Sequence, residues 1–368
     1  MTDSDPPRLK DFVDAALVEA IGNRFAAVVA GFDRDGFVTE ATATLEQLEL
    51  KDRIALVATA LAGRLPGAFP EASRVVVAAT GCGEAPSGWE AWPLATFIEL
   101  YGSEHPEAAL DAMETVTRFA SCEFAIRPLL EKHPEETFDR LRRWITHEDE
   151  AVRRLVSEGT RPLLPWGRRV AALREDPRRG MELAGVLRSD PSEGVRRSVA
   201  NHLNDVSKDH PEIALETAAR WASEGLAEVY DVVAHGLRTL IKRGNPSAME
   251  ILGFTAEAEI DVDEFSCEPA EIEIGGRVEL RATLRSIGNV DQRVVVDYAV
   301  NYVKADGRTS AKVFKWATME IGAGETRSLK RRQWFRDLST RTHHPGTHTI
   351  VLQVAGRAAA TVELELTH

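Results

Sequence analysis

An all-α helical repeat array followed by an all-β sandwich is the fold class that this 368-residue sequence predicts. Three observations carry it. The string Glu150-Ala151-Val152-Arg153-Arg154 returns as Glu193-Gly194-Val195-Arg196-Arg197 about 43 residues later, a period in the range of HEAT-like helix pairs. Helix starts punctuate the same region at His105-Pro106, His133-Pro134, Asp176-Pro177 and His210-Pro211. Beyond Phe254 the pattern turns to β-branched alternation cut by turn residues, the mark of short strands. A chain of this length exceeds one ordinary core, so two domains are expected. Residues 1–250 read as the HEAT-like solenoid and 254–368 as an immunoglobulin-like sandwich.

The array begins near the N-terminus, where Leu45 to Leu65 is apolar at helical spacing. GWEAWP, from Gly88 to Pro93, reads as a break before another helix. Proline suits each later start because the N–H it lacks is unpaired in a first helical turn anyway. Three of the starts read His-Pro-Glu, and glutamate there complements the helix dipole. On this periodicity Glu123, Glu158 and Asp205 fall on the second helices of successive repeats. Asp205 lies one turn beyond Asn201, the repeat equivalent of Glu158, and residues four apart share a helix face. Solenoids stack equivalent helices side by side, so the three carboxylates are expected to converge. The array fades at Gly244-Asn245-Pro246. Strands are expected over Val278–Ile287, Arg293–Val303, Lys312–Met319 and Thr347–Val354, within a set of about seven that suggests the sandwich.

Composition narrows the function. No apolar run is long enough for a membrane span, and the acidic, proline-bearing start is no signal peptide. Cys82, Cys122 and Cys267 are far apart and lack metal-ligand spacing, which points to a reducing cytoplasm, with no metal and no cofactor. The net charge of −13 argues against nucleic acid only if it is evenly spread, and it is not. Lys304 to Pro345 holds ten Lys or Arg against four Asp or Glu, and Arg142 to Arg179 holds ten against six. The segment EGTRPLLPW, Glu158 to Trp166, sets a carboxylate, a guanidinium (Arg161) and an indole within a few residues of a helix end. Those groups suit a flat, cationic substrate beside a negatively charged backbone.

Six segments in order, LKDRIALVATALAGRLP, GWEAWP, SCEFAIRPLL, EGTRPLLPW, NHLNDVSKDHP and NYVKADGRTSAKVFKW, make the chain resemble the AlkC branch of the DNA alkylation repair glycosylases over nearly its whole length. At or next to Leu164 that resemblance leads one to expect a basic residue. It implies hydrolysis of the N-glycosidic bond of cationic N-methylated bases: 3-methylcytosine, 3-methyladenine and, as a further candidate, 1-methyladenine. It implies Asp205, Glu158 and Glu123 as catalytic groups, with Asp205 and Glu158 first in orienting water, and Trp166 and Arg161 at the lesion. Double-stranded DNA is the implied partner of a monomeric protein. Arg153, Arg154, Arg196 and Arg197, with Lys304, Arg308, Lys312 and Lys315 around the Asp306-Gly307 turn, are the candidate phosphate contacts. The competing reading is a non-catalytic HEAT-type scaffold that binds DNA or protein through its concave face.

Overall fold

The computed structural model describes residues 8–338 and 341–368. By compactness the chain forms two units, Met1–Asp209 and His210–His368. Among the described residues no helix is long and apolar enough to cross a membrane.

The described residues of the first unit form helices and the turns between them, and its repeats follow the sequence pattern. Pro106–Val116 and Pro134–Trp144 each open on proline. Glu150–Gly159 and Glu193–Asp209 are the second helices that carry the repeated string. Val152 and Val195 are both fully buried, so the valine is the core anchor of the motif. The arginine after it has a different task from the one expected. Arg153 gives Nη1 to the carbonyls of His147 and Glu148 at 2.8 Å each, and forks its other nitrogens onto Asp190 at 2.7 and 3.0 Å. Arg196 repeats the device, donating Nη1 to the carbonyls of Asp190 and Pro191 at 2.6 and 3.0 Å. Each closes the turn that precedes its own helix. The phosphate role expected for Arg153 is therefore corrected, since Nε, Nη1 and Nη2 are all committed to the turn and to Asp190, whereas Arg196 commits Nη1 alone.

Two further expectations change. GWEAWP is no break but the opening of the helix Gly88–Tyr101. Ser87 and Glu90 form a reciprocal capping box there, which fixes the helix start ahead of Pro93. Glu123 does not lie on a second helix. It sits in the turn before the short helix Arg127–Lys132, whose Pro128 favours a start at that point.

The second unit opens with the helices Pro211–Ala222, Ala227–Gly236, Arg238–Lys242 and Pro246–Ile251. Among the described residues eight strands follow: β1 (Ile260–Glu268), β2 (Glu271–Glu273), β3 (Arg277–Ser286), β4 (Gln292–Val303), β5 (Thr309–Ile321), β6 (Thr326–Trp334), β7 (Gly346–Val354) and β8 (Arg357–Thr367). They make a three-stranded sheet, β1-β3-β6, and a five-stranded sheet, β2-β8-β7-β4-β5. Leu280, Leu284, Val296, Tyr298, Ile350 and Leu364 are among the side chains of the sandwich core. The four helices belong with the sandwich for identifiable reasons. Arg293 of β4 donates to the Leu252 carbonyl at 3.0 Å and to the Tyr230 hydroxyl at 3.1 Å, while covering the Phe254 ring at 4.7 Å. Gly356 and Gly244 meet backbone to backbone; a Cβ on Gly356 would lie 2.2 Å from the Gly244 Cα, so a side chain there would prise the helical segment off the β7–β8 turn.

Candidate active site

The loop after the helix Glu150–Gly159 is built around one buried side chain. Arg127 is fully buried, and Nη1 donates to the carbonyls of Gly159 at 3.0 Å and Arg161 at 2.9 Å, with Nε on the Arg168 carbonyl. It thus satisfies the helix end and staples both ends of the loop. Burial lowers its pKa to about 10, which leaves it charged near neutrality. Within the loop Trp166 is 61% exposed at φ +62°, a left-handed conformation that costs a bulky residue on the order of 1–3 kcal/mol. Lys51 holds it from outside, donating Nζ to the Trp166 carbonyl at 2.9 Å.

Beneath the loop the three carboxylates join one network. Arg161 donates Nη1 to Glu158 Oε1 at 2.6 Å and Nε to Asp205 Oδ2 at 2.8 Å, across 44 residues of sequence in the second case. Ser198 donates to Glu158 Oε2 at 2.6 Å and Lys208 to Asp205 Oδ1 at 3.0 Å. Arg154 lies 3.4 Å from Glu123 Oε2 and 3.9 Å from Glu158 Oε2, and Ser121 donates to Glu123 at 2.8 Å. Burial works against the charge of Arg161, yet Asp205 and Glu158 outweigh it and raise its pKa. Glu123 moves upward too, first because it is desolvated and then because Glu158 repels its charge.

A cavity of about 380 Å³ opens on this network, lined by Trp92, Ser121, Glu123, Phe124, Arg154 and Trp166 among others. Of the expected catalytic groups, Glu123 lines it directly. Glu158 stands behind, reached through Arg154, and Asp205 is 1% exposed, held under Arg161 and Lys208. Arg161 is corrected as a lesion contact: it is buried, with its fork committed to two carboxylates. Leu164 is also buried and packs against Gly167, so the position is part of the loop's apolar filling. His202 is buried on the Ser157 carbonyl, with burial lowering its pKa to about 4.

Comparison with known proteins places this geometry. The family model described as "Uncharacterised protein YhaZ, C-terminal Ig-like domain" matches residues 261–368. YhaZ of Bacillus subtilis (strain 168) is 33% identical over 363 residues, covering 97% of this chain and 99% of that protein. The solved structure of the Pseudomonas fluorescens alkylpurine DNA glycosylase AlkC, bound to DNA containing an abasic site analog, aligns at a TM-score of 0.92 and 36% identity, covering 98% of this chain and all of that one. The chain belongs to the AlkC family.

In this AlkC-family chain the expected DNA contacts divide. Arg197 is exposed on the repeat helix, and Arg154 is half-exposed beside the cavity carboxylates. Lys304 and Arg308 flank the β4–β5 turn, where Gly307 takes φ +78°, and Arg308 pairs with Asp306 at 2.6 Å. Lys312 and Lys315 are exposed on β5 but three residues apart, hence on opposite faces of the strand. Sequence reasoning missed Arg127 as the loop staple, Ser198 and Lys208 as carboxylate partners, and Trp92, Phe124 and Lys51 around the cavity. GWEAWP was a signal for Trp92; the others depend on pairings across stacked helices.

Proposed function

We propose that this chain is a DNA glycosylase that hydrolyses the N-glycosidic bond of cationic N-methylated bases, with 3-methylcytosine and 3-methyladenine as leading substrates and 1-methyladenine as a further candidate. The observation that carries the reading is an aromatic-walled cavity with Glu123 on its lining and Glu158 next behind it, both bordered by Arg154. The match to AlkC bound to DNA containing an abasic site analog supports the same reaction class. N-methylation makes the base a cationic leaving group, so the enzyme needs little general acid. As the bond lengthens, positive charge moves to the deoxyribose, and carboxylates fixed beside it stabilise that oxocarbenium-like state. Glu123 and Glu158 are the groups best placed for this, and one of them orients the attacking water. The burial of Asp205 supports a positioning role, exerted through Arg161 on Glu158. Trp166 offers its exposed face to the base, a contact worth roughly 0.5–2 kcal/mol for a cation. The protein acts as a monomer on duplex DNA, with Arg197, Lys304, Arg308 and one of the two opposed lysines, Lys312 or Lys315, as phosphate contacts whose contribution weakens with salt.

The test is release of free methylated base from alkylated duplex DNA, read by chromatography, with the strand intact until alkali cleaves the abasic site. Salt-sensitive DNA binding with no base released would reject the reading in favour of a scaffold. A pH profile of single-turnover release checks the role of Glu123. Its pKa is raised, and its charged form is the useful one, so the rate should fall on the acid side at a pH above the ordinary glutamate range. In Glu123→Gln the residual rate should lack that acid limb; an unchanged limb would assign it elsewhere.

A further inference from the structure

The two tryptophans of GWEAWP are left without a task by the reaction just described. Trp92 lines the cavity together with Glu123, Phe124 and Trp166. Behind it stand two more rings in series. Trp89 lies 5.9 Å from Trp92 between centroids, at 32°, and Phe12 stacks on Trp89 at 5.1 Å and 9°. Phe12 is 43% exposed, so the series is more than ordinary core filling. The backbone under the motif is fixed as well. Glu90 closes the capping box with Ser87, and Arg24 reaches Glu90 at 3.4 Å while donating to the carbonyls of Ala79, Cys82 and Glu84.

Of the three rings that line the cavity, one already has a cation over it: Lys51 Nζ lies 5.2 Å from the Phe124 centroid. That leaves the two indoles for an incoming cation. We propose that Trp92 is a specificity-determining residue, whose ring attracts the positively charged base, and that the Trp89–Phe12 stack is a positioning device that holds this ring in place. The proposal rests on the glycosylase reading and adds to it a means of selecting charge. A ring face attracts a cation through its quadrupole, whereas a neutral base gains only stacking. Selection by charge also suits a cavity that cannot discriminate strongly by a single methyl group.

The experiment compares duplexes that carry cationic 3-methylcytosine with duplexes that carry its neutral isostere 3-methyluracil, each on a 2′-fluorinated sugar that resists hydrolysis. Binding is measured for the full chain and for Trp92→Leu, Trp92→Phe and Phe12→Ala, alongside base release by the unmodified chain. Trp92→Leu should lower the preference for the cationic duplex by about threefold to thirtyfold, with affinity for the neutral duplex nearly unchanged. Trp92→Phe, which keeps a ring and guards against a misfolded leucine variant, should lose less, and Phe12→Ala a smaller part again. Equal losses on both duplexes, or an unchanged preference in Trp92→Leu and Trp92→Phe, would overturn the proposal. If the unmodified chain releases base while the Trp92 variants keep full charge preference, this inference alone fails. If no base is released yet the preference falls in Trp92→Leu, the cation site stands and the glycosylase reading fails.

Discussion

Glu158→Gln is expected to slow single-turnover release of methylated base by about 10²–10³-fold, the usual scale for removing one preorganised stabilising group, with DNA binding retained. The substitution is close to a pure charge deletion. A glutamine amide oxygen still accepts from Arg161 Nη1, and its NH₂ turns towards Ser198 Oγ, which also receives a hydrogen bond from Ser157 at 2.7 Å. Shape and most hydrogen bonds therefore survive while the negative charge is lost. Asp205→Asn should behave differently. It too lowers release, but it leaves Arg161 and Lys208 short of a buried anion, so a fall in melting temperature should accompany the slower rate. The measurement is release under single-turnover conditions with enzyme in excess, beside thermal unfolding of each variant. A Glu158→Gln rate within threefold of the parent would mean that this carboxylate serves the fold and not the reaction. Combining Glu123→Gln with Glu158→Gln should cost far less than the product of the single effects, because groups that act on one transition state are not additive.

How much of this was legible in the sequence depends on the range of the interaction. The repeat was plain because its determinants are local: a valine that must be buried, a proline at a helix start, a period near 43 residues. The four strands expected by pattern alternate apolar and polar residues or, for β4, are buried on both faces, one of which lines the sandwich core. β6 was not foreseen. Lys330, Arg331 and Arg332 look like a solvated charge run, yet the strand pairs with β3 over its whole length. At the site, the convergence of Glu158 and Asp205 followed from stacking equivalent helices, and Arg161 does bridge them. The part that was not legible is which side of the bridge faces the cavity. Charge counting also could not separate Arg153 from Arg154. Both follow the same valine, but the single-residue step of about 100° around the helix sends the first to the preceding loop and the second to the carboxylates.

Arg161→Met is expected to be among the most destabilising single changes in the first unit. Arg161, Glu158 and Asp205 are all buried, and the guanidinium donates to both acids. Removing one member of a buried ionic group typically costs about 3–5 kcal/mol, because the partners remain desolvated without compensation. Here two carboxylates are left, with Arg154 at 3.9 Å from one and Lys208 at 3.0 Å from the other as their remaining cations. Arg161→Lys should recover only part of the loss, since an ammonium lacks the fork that spans two acceptors. Urea unfolding checks the magnitude, and a double-mutant cycle checks the cause. In an Asp205→Asn background one of the orphaned charges is already gone, so Arg161→Met should cost clearly less there than in the parent. Strict additivity would mean that the arginine stabilises the loop by packing, with its bridge to Asp205 contributing little. A cycle with strong coupling, joined to lost base release in Arg161→Met and partial recovery in Arg161→Lys, would tie the strut to the geometry of Glu158 and so link the stability of the repeat array to its chemistry.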